Sequence, residues 1–212
     1  LRTGAASGVA TKYLSGKDSI DLGVYGSGFQ AETQIEAISR VKNIKSCVVY
    51  SRSSDKREKF CEKMTEKLGF SIEPTDDPKE CAIDKDVIVT VTTSSDPVLM
   101  GDWISSGTHI NAAGSNQALK KEIDLNVIKK SDLIVVDDLN QAKTECGDLI
   151  QAGENFDWNN VILLEDIVSG KRKKTNSTIS LFESQGVALE DIAIGFRLFQ
   201  KANKENVGTE LN

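Results

Sequence analysis

Gly26, Gly28 and Ala31 stand at the spacing G-x-G-x-x-A inside the stretch "DSIDLGVYGSGFQAETQIEAI", residues 18–38. Where a strand turns straight into a helix, unpaired backbone N–H groups converge beside the positive end of the helix dipole, and such a point attracts anions. In this pattern the first glycine permits the tight turn and the second leaves room for a pyrophosphate to approach the backbone. A small third residue then lets helix and strand pack closely. With Ser27, Phe29 and Gln30 between them, residues 26–31 are the candidate seat for the linked phosphates of a dinucleotide.

In an open parallel sheet the ligand lies beyond the carboxyl ends of the strands, so the residues after each apolar run are the next candidates. After "CVVY" come Ser51, Arg52 and Ser53, and no acid appears until Asp55. A carboxylate at the strand end would favour the free ribose hydroxyls of NAD, whereas the planar fork of Arg52 suits the 2′-phosphate of NADP. NADP is therefore the expected coenzyme and NAD the alternative, with a merely solvated Arg52 as the competing reading. After "DVIVTV" come Thr92, Thr93 and Ser94, small hydroxyl residues suited to ribose and phosphate. After "THIN" the bend Ala113, Gly114, Ser115, Asn116 leaves space for a nicotinamide ring. His109 begins that strand, the wrong end for this chemistry, and is expected to be structural.

These residues require a scaffold of alternating strands and helices. Ile20, Leu22 and Val24 mark a buried strand, and Ala31, Ile35, Ile38 and Val41 follow at helical spacing. "CVVY" at 47–50 completes a strand, helix, strand unit of the length a right-handed parallel crossover needs. A helix from Ser53 or Ser54 to Gly69 presents Phe60, Met64 and Leu68 on one face. Strands are expected at "FSIEP", at 86–93, 108–114 and 132–138, and at 177–182. Residues 119–130 and 139–170 read as helical, the latter broken at Gly147 and Gly153, and a long helix closes the chain. The fold class that follows is α/β, a Rossmann-type doubly wound, mostly parallel sheet with helices on both faces. One dinucleotide-binding domain is expected over 1–205, with helices 1–16 and 187–203 packed on it and a frayed tail at 206–212.

The 212 residues suffice for a full core, and 39% apolar with 27% charged residues is a globular mixture. No run of about 18 apolar residues suggests a membrane span, and the reading is a soluble, cytoplasmic protein. A net charge of −6 argues against a general nucleic-acid binder, and "KRKK" at 171–174 reads as a solvated loop. Cys47, Cys61, Cys81 and Cys146 form no C-x-x-C pair and the chain has a single histidine, so no metal site is expected and the thiols read as structural.

Together "LRTGAASGVATKYL", "LGVYGSGFQA", "DVIVTVTTSSDPVLMGDWISSGTHINAAGSN", "GDL" and "ISLFESQGVALEDIA" resemble the ornithine cyclodeaminase and mu-crystallin family over nearly the whole chain. The resemblance implies that Arg2 holds a substrate carboxylate, that Thr3 lies near the coenzyme, and that Ser184 and Gln185 line its nicotinamide end. Cyclodeaminases carry an acid/base aspartate where this chain has Asn116, and an amide cannot take up or release a proton in the useful range. The implied activity is that of an NAD(P)-dependent oxidoreductase on a small amino acid, keto acid or cyclic imine. Ornithine cyclodeamination and non-catalytic NADPH binding of the crystallin kind are the alternatives. Family members also carry a preceding substrate and dimerisation segment of about a hundred residues with a reactive lysine. Since this chain opens at Leu1 directly on a helical pattern, it is expected to be the coenzyme-binding part of a longer, homodimeric protein.

Overall fold

The computed structural model describes residues 1–154, 156–172 and 178–209. Helix α1 (Arg2–Leu14) leads into β1 (Ser19–Tyr25), α2 (Phe29–Ser39), β2 (Asn43–Tyr50), α3 (Ser54–Leu68) and β3 (Glu73–Thr75). Then come β4 (Val87–Thr90), β5 (His109–Ala112), α4 (Leu125–Lys130), β6 (Leu133–Val136), α5 (Leu139–Glu145) and α6 (Gly147–Ile150). The chain continues through β7 (Val161–Leu163), α7 (Leu164–Val168), β8 (Ser180–Glu183) and α8 (Ala188–Glu205). The sheet has eight strands in the order β3-β2-β1-β4-β5-β8-β6-β7, and every pair is parallel.

This is the doubly wound arrangement. From β1 the chain steps outward to β2 and β3, then returns to β4 on the other side of β1, so the strand order reverses between β1 and β4. A crevice opens at the carboxyl ends of strands at such a reversal. Side chains alternate across the sheet: Val87 and Val89 join Ile35 and Ile38 of α2 and Phe60 of α3, while Ile88 faces the opposite layer with Ile123, Val127 and Leu149. Full burial of each such aliphatic side chain contributes about 1.5–3 kcal/mol. Gly69 closes α3 with φ 78, the left-handed conformation that glycine adopts without a Cβ penalty.

Several expected boundaries shift. Residues 119–130 are helical only from Leu125, because Asp124 caps that helix through the Val127 N–H and Ile123 instead bridges to Leu99. The stretch 139–170 is not helical throughout: it contains β7, a three-residue edge strand whose apolar run is too short to betray its period. "FSIEP" gives way to β3 at Glu73–Thr75, and the expected strands at 86–93, 108–114 and 132–138 contract to four residues each. The late strand is β8; Ser177, Lys173 and Lys174 lie outside the described residues. Helix α8 buries none of its residues, and Leu189, Ile192, Phe196 and Phe199 stand exposed along it. No helix among the described residues is long and apolar enough to cross a membrane.

Candidate functional site

The turn from β1 into α2 is built as its glycine spacing requires. Gly26 donates its N–H to the Tyr50 carbonyl (2.8 Å) and holds φ 119. A Cβ there would stand 2.6 Å from the Val91 carbonyl oxygen, so only glycine lets β1 end this close to β4. Gly28 is the N-cap of α2 and no side chain caps the helix, which leaves its first-turn N–H groups without a capping acceptor. Ala31 is fully buried behind them, while Phe29 and Gln30 are exposed. The anion-attracting end of the helix thus faces the reversal point of the sheet.

A cavity of about 380 Å³ occupies that point. Its wall gathers three strand ends: Gly26, Ser27 and Gly28 after β1; Ser51, Arg52 and Ser53 after β2; Thr92, Thr93 and Ser94 after β4. The Ser27 hydroxyl donates to Ser51 Oγ (2.9 Å), joining the first two loops. Arg57 of α3 is buried and donates from Nη1 to the Ser51 carbonyl (2.6 Å), fixing the loop that carries the exposed Arg52. Neither Arg57 nor Lys56, which also lines the cavity, was singled out by strand-end reasoning, because both lie inside the helix that follows.

The remaining candidates line up along the next strand ends. Ala113 continues the β4–β5 ladder by donating to the Thr90 carbonyl (2.9 Å), and Ser184 does the same from β8 to the Ala112 carbonyl (3.0 Å). Asp137, at the end of β6, accepts from Ser184 Oγ (3.0 Å) and from the Gly186 N–H (2.7 Å), so one carboxylate shapes the 184–186 bend. The same strand-end rule applied to "VVDD" would have found it. Gln185 is 8% exposed, and neither polar atom of its side-chain amide has a hydrogen-bond partner among the described residues. A buried orphan amide is the kind of group a bound ligand satisfies. Asn116 is exposed on the loop after β5, and Thr3 is half-buried in the first turn of α1. The Arg2 guanidinium lies over Gly186, where any Cβ would strike it, and reaches Asp191 (3.3 Å) and Glu190 (3.7 Å) at the start of α8.

Behind this row sits a group of buried acids with no counterpart in the sequence reading. Glu183 at the end of β8 is wholly buried; its Oε2 accepts from Ser115 Oγ and Cys146 Sγ (3.4 Å each), and Oε1 has no partner among the described residues. Burial, reinforced by Asp148, pushes its carboxyl well above the usual range. Burial likewise raises Asp148 against the hydrogen bonds that pull it down, and the Cys146 thiol rises for the same reason. His109 is buried between Ser180 Oγ (2.9 Å from Nδ1) and Asn111 Oδ1 (3.2 Å from Nε2), the structural role its position suggested. The four cysteines are free and buried.

The cavity, the uncapped helix end and the orphan amide fit a dinucleotide laid from β2 across β1 and β4 toward β8. The model of the ornithine cyclodeaminase/mu-crystallin family matches residues 1–206. The alanine dehydrogenase of Archaeoglobus fulgidus is 36% identical over 225 residues, covering 100% of this chain and 66% of that protein. Among solved structures, the Thermococcus litoralis Delta(1)-pyrroline-2-carboxylate reductase in complex with NADH and L-proline superposes with a TM-score of 0.94 at 39% identity, over 99% of this chain and 66% of the other. An archaeal alanine dehydrogenase dimer with bound NAD gives 0.91 at 34% identity, over 100% and 66%. The chain thus spans about two thirds of the length of each of these relatives. By its sequence along nearly its whole length and by its fold, the chain belongs to the ornithine cyclodeaminase/mu-crystallin family.

Proposed function

We propose that this chain is the coenzyme-binding part of an NAD(P)-dependent oxidoreductase that acts on a small amino acid, its keto acid or a cyclic imine. The observation that carries the reading is the cavity at the sheet reversal, closed by Gly26 and Gly28 and facing the uncapped start of α2. When bound, a nicotinamide coenzyme supplies or accepts the hydride. The α2 N–H groups receive its phosphates, Thr92, Thr93 and Ser94 meet the ribose side, and the 113–116 and 184–186 bends border the ring. Arg2, half-exposed beside Gly186, presents its fork to a substrate carboxylate. Asn116 has no group that takes up or releases a proton in the working range, which favours net reduction or oxidation over ornithine cyclisation. The relatives' names support the substrate class, and the dimeric archaeal neighbour supports a homodimer for the full-length protein.

Titration of the chain with NADH and NADPH, followed by coenzyme fluorescence, is expected to give saturable binding of both, tighter for NADPH. No saturation with either would end the coenzyme reading. Arg52 carries the preference for the 2′-phosphate. Its exposure on the cavity rim means that Arg52→Glu leaves the fold unchanged while replacing an attraction with a repulsion. A charged hydrogen bond is worth about 1.5–3 kcal/mol, so NADPH affinity should fall by roughly 10- to 100-fold and NADH affinity by far less. Equal losses for the two coenzymes would make Arg52 a solvated loop residue.

A further inference from the structure

Glu122 belongs to no helix or strand, yet it is wholly buried. Its carboxylate accepts the backbone N–H of Thr92 through Oε1 and that of Gly114 through Oε2, the latter at 2.8 Å. These residues belong to the loops after β4 and β5, whose ladder ends with the bond from Ala113 to Thr90. Past that bond no further backbone hydrogen bond joins the two loops among the described residues, and the carboxylate bridges them. Its backbone is fixed in turn: the N–H groups of Glu122 and Ile123 donate to Asp148 Oδ1 (2.9 and 3.1 Å), and the Glu122 carbonyl accepts from Val98 (2.8 Å) and Leu99 (3.1 Å). Gly114 is shaped to the same device, since any Cβ there would collide with the Glu122 carboxyl group. Thr92 is on the cavity wall.

We propose that Glu122 is a positioning residue for the coenzyme, a clasp whose two oxygens hold the Thr92 and Gly114 loops at the separation that the cavity requires. The proposal rests on the coenzyme reading above. Burial pushes the Glu122 carboxyl up to about 7, against the pull of its Thr92 contacts, and Asp148 adds to the rise. A protonated carboxyl retains one good acceptor, so one arm of the clasp opens as pH falls through that range. Asp148 from α6 and Glu183 from β8 face the same buried space, with Cys146 beside Glu183 and Lys121 acting on Asp148. Removing Glu122 alone isolates its share.

The test follows the Thr92 and Gly114 amide protons of the isotope-labelled 212-residue chain by NMR between pH 5.5 and 8.5, alongside NADPH titrations at both ends of the range. In the wild type the two amide signals should move together with a midpoint of about 7, where burial places the Glu122 carboxyl, and NADPH affinity should fall about tenfold on acidification, the effect of one lost charged hydrogen bond. Glu122→Gln, which cannot ionise, should abolish both responses and leave affinity at the acid-side level. Gly114→Ala pushes on the carboxylate from the other side and should displace the Thr92 signal and weaken NADPH binding, while Glu122→Asp should restore part of the pH response. Amide signals that do not titrate, or a Glu122→Gln chain with wild-type NADPH affinity at pH 8.5, would overturn the clasp. If the wild type bound neither coenzyme at any pH while both amides titrated, the coenzyme role would fall and the bare structural clasp would stand.

Discussion

Gly28→Ala should lower the thermal midpoint of the chain by no more than about 2–4 °C and still lower its affinity for NADH and NADPH by roughly 10- to 100-fold. The expectation follows from two properties of position 28. Its backbone is extended (φ −100), which any residue adopts, and a Cβ built there finds nothing within 4 Å. Ala for Gly at an N-cap costs the helix only about 1 kcal/mol or less. The open space is, however, where phosphates must come within hydrogen-bond reach of the α2 N–H groups, and one methyl in a filled site costs about 1–3 kcal/mol. Gly26→Ala is the informative contrast. At φ 119, with the Val91 carbonyl 2.6 Å from the new Cβ, it should lower both stability and affinity. Calorimetric binding with differential scanning on the same samples separates the two. A Gly28→Ala chain that binds as tightly as the wild type would show that the bend is an ordinary turn.

This contrast also marks how far the sequence could be read. The bend from β1 into α2 was legible because its requirement is local: a turn of this kind needs glycine within three positions, and the flanking apolar runs announce the strand and helix that make it. The strand ends at 51–53 and 92–94 were legible for a related reason, since a parallel sheet delivers the residues after each strand to one edge, and the cavity gathers both groups. Gly114 shows a second requirement that its spacing does not reveal. The small residue that suits a nicotinamide ring in the sequence also leaves space for the carboxyl of Glu122, which a Cβ at Gly114 would strike. Glu122 reaches Thr92 across 30 residues and is held by Asp148 across 26, and no periodicity encodes such pairings. β7 escaped because three apolar residues beside a helical turn carry too little pattern to reveal a period. What the chain folds locally could be inferred; what its buried acids do to one another required their positions in space.

Glu183→Gln should stabilise the chain at pH 7 and make no difference near pH 4.5. Glu183 has no exposed surface and no basic partner among the described residues, and Asp148 lies close enough to disfavour its ionisation further. Its folded-state pKa is raised, so the native chain holds a proton that the unfolded chain releases above its ordinary value of 4.5. Stability from this group is therefore complete below about pH 4.5 and declines as pH rises toward the folded pKa. Holding that carboxyl neutral while the unfolded chain ionises costs stability as pH rises above 4.5, a cost the Gln variant does not carry. Gln removes the titration but keeps the shape, and its carbonyl oxygen can still accept from Ser115 and Cys146 in place of Oε2. The thermal midpoint of the variant should therefore lie above that of the wild type at pH 7. Midpoints measured from pH 4.5 to 8 should diverge steadily between variant and wild type. Parallel curves, or a variant less stable at pH 7 than at pH 4.5 by the wild-type margin, would mean that Glu183 is ionised in the native state and stabilised by a charge not among the neighbours described above.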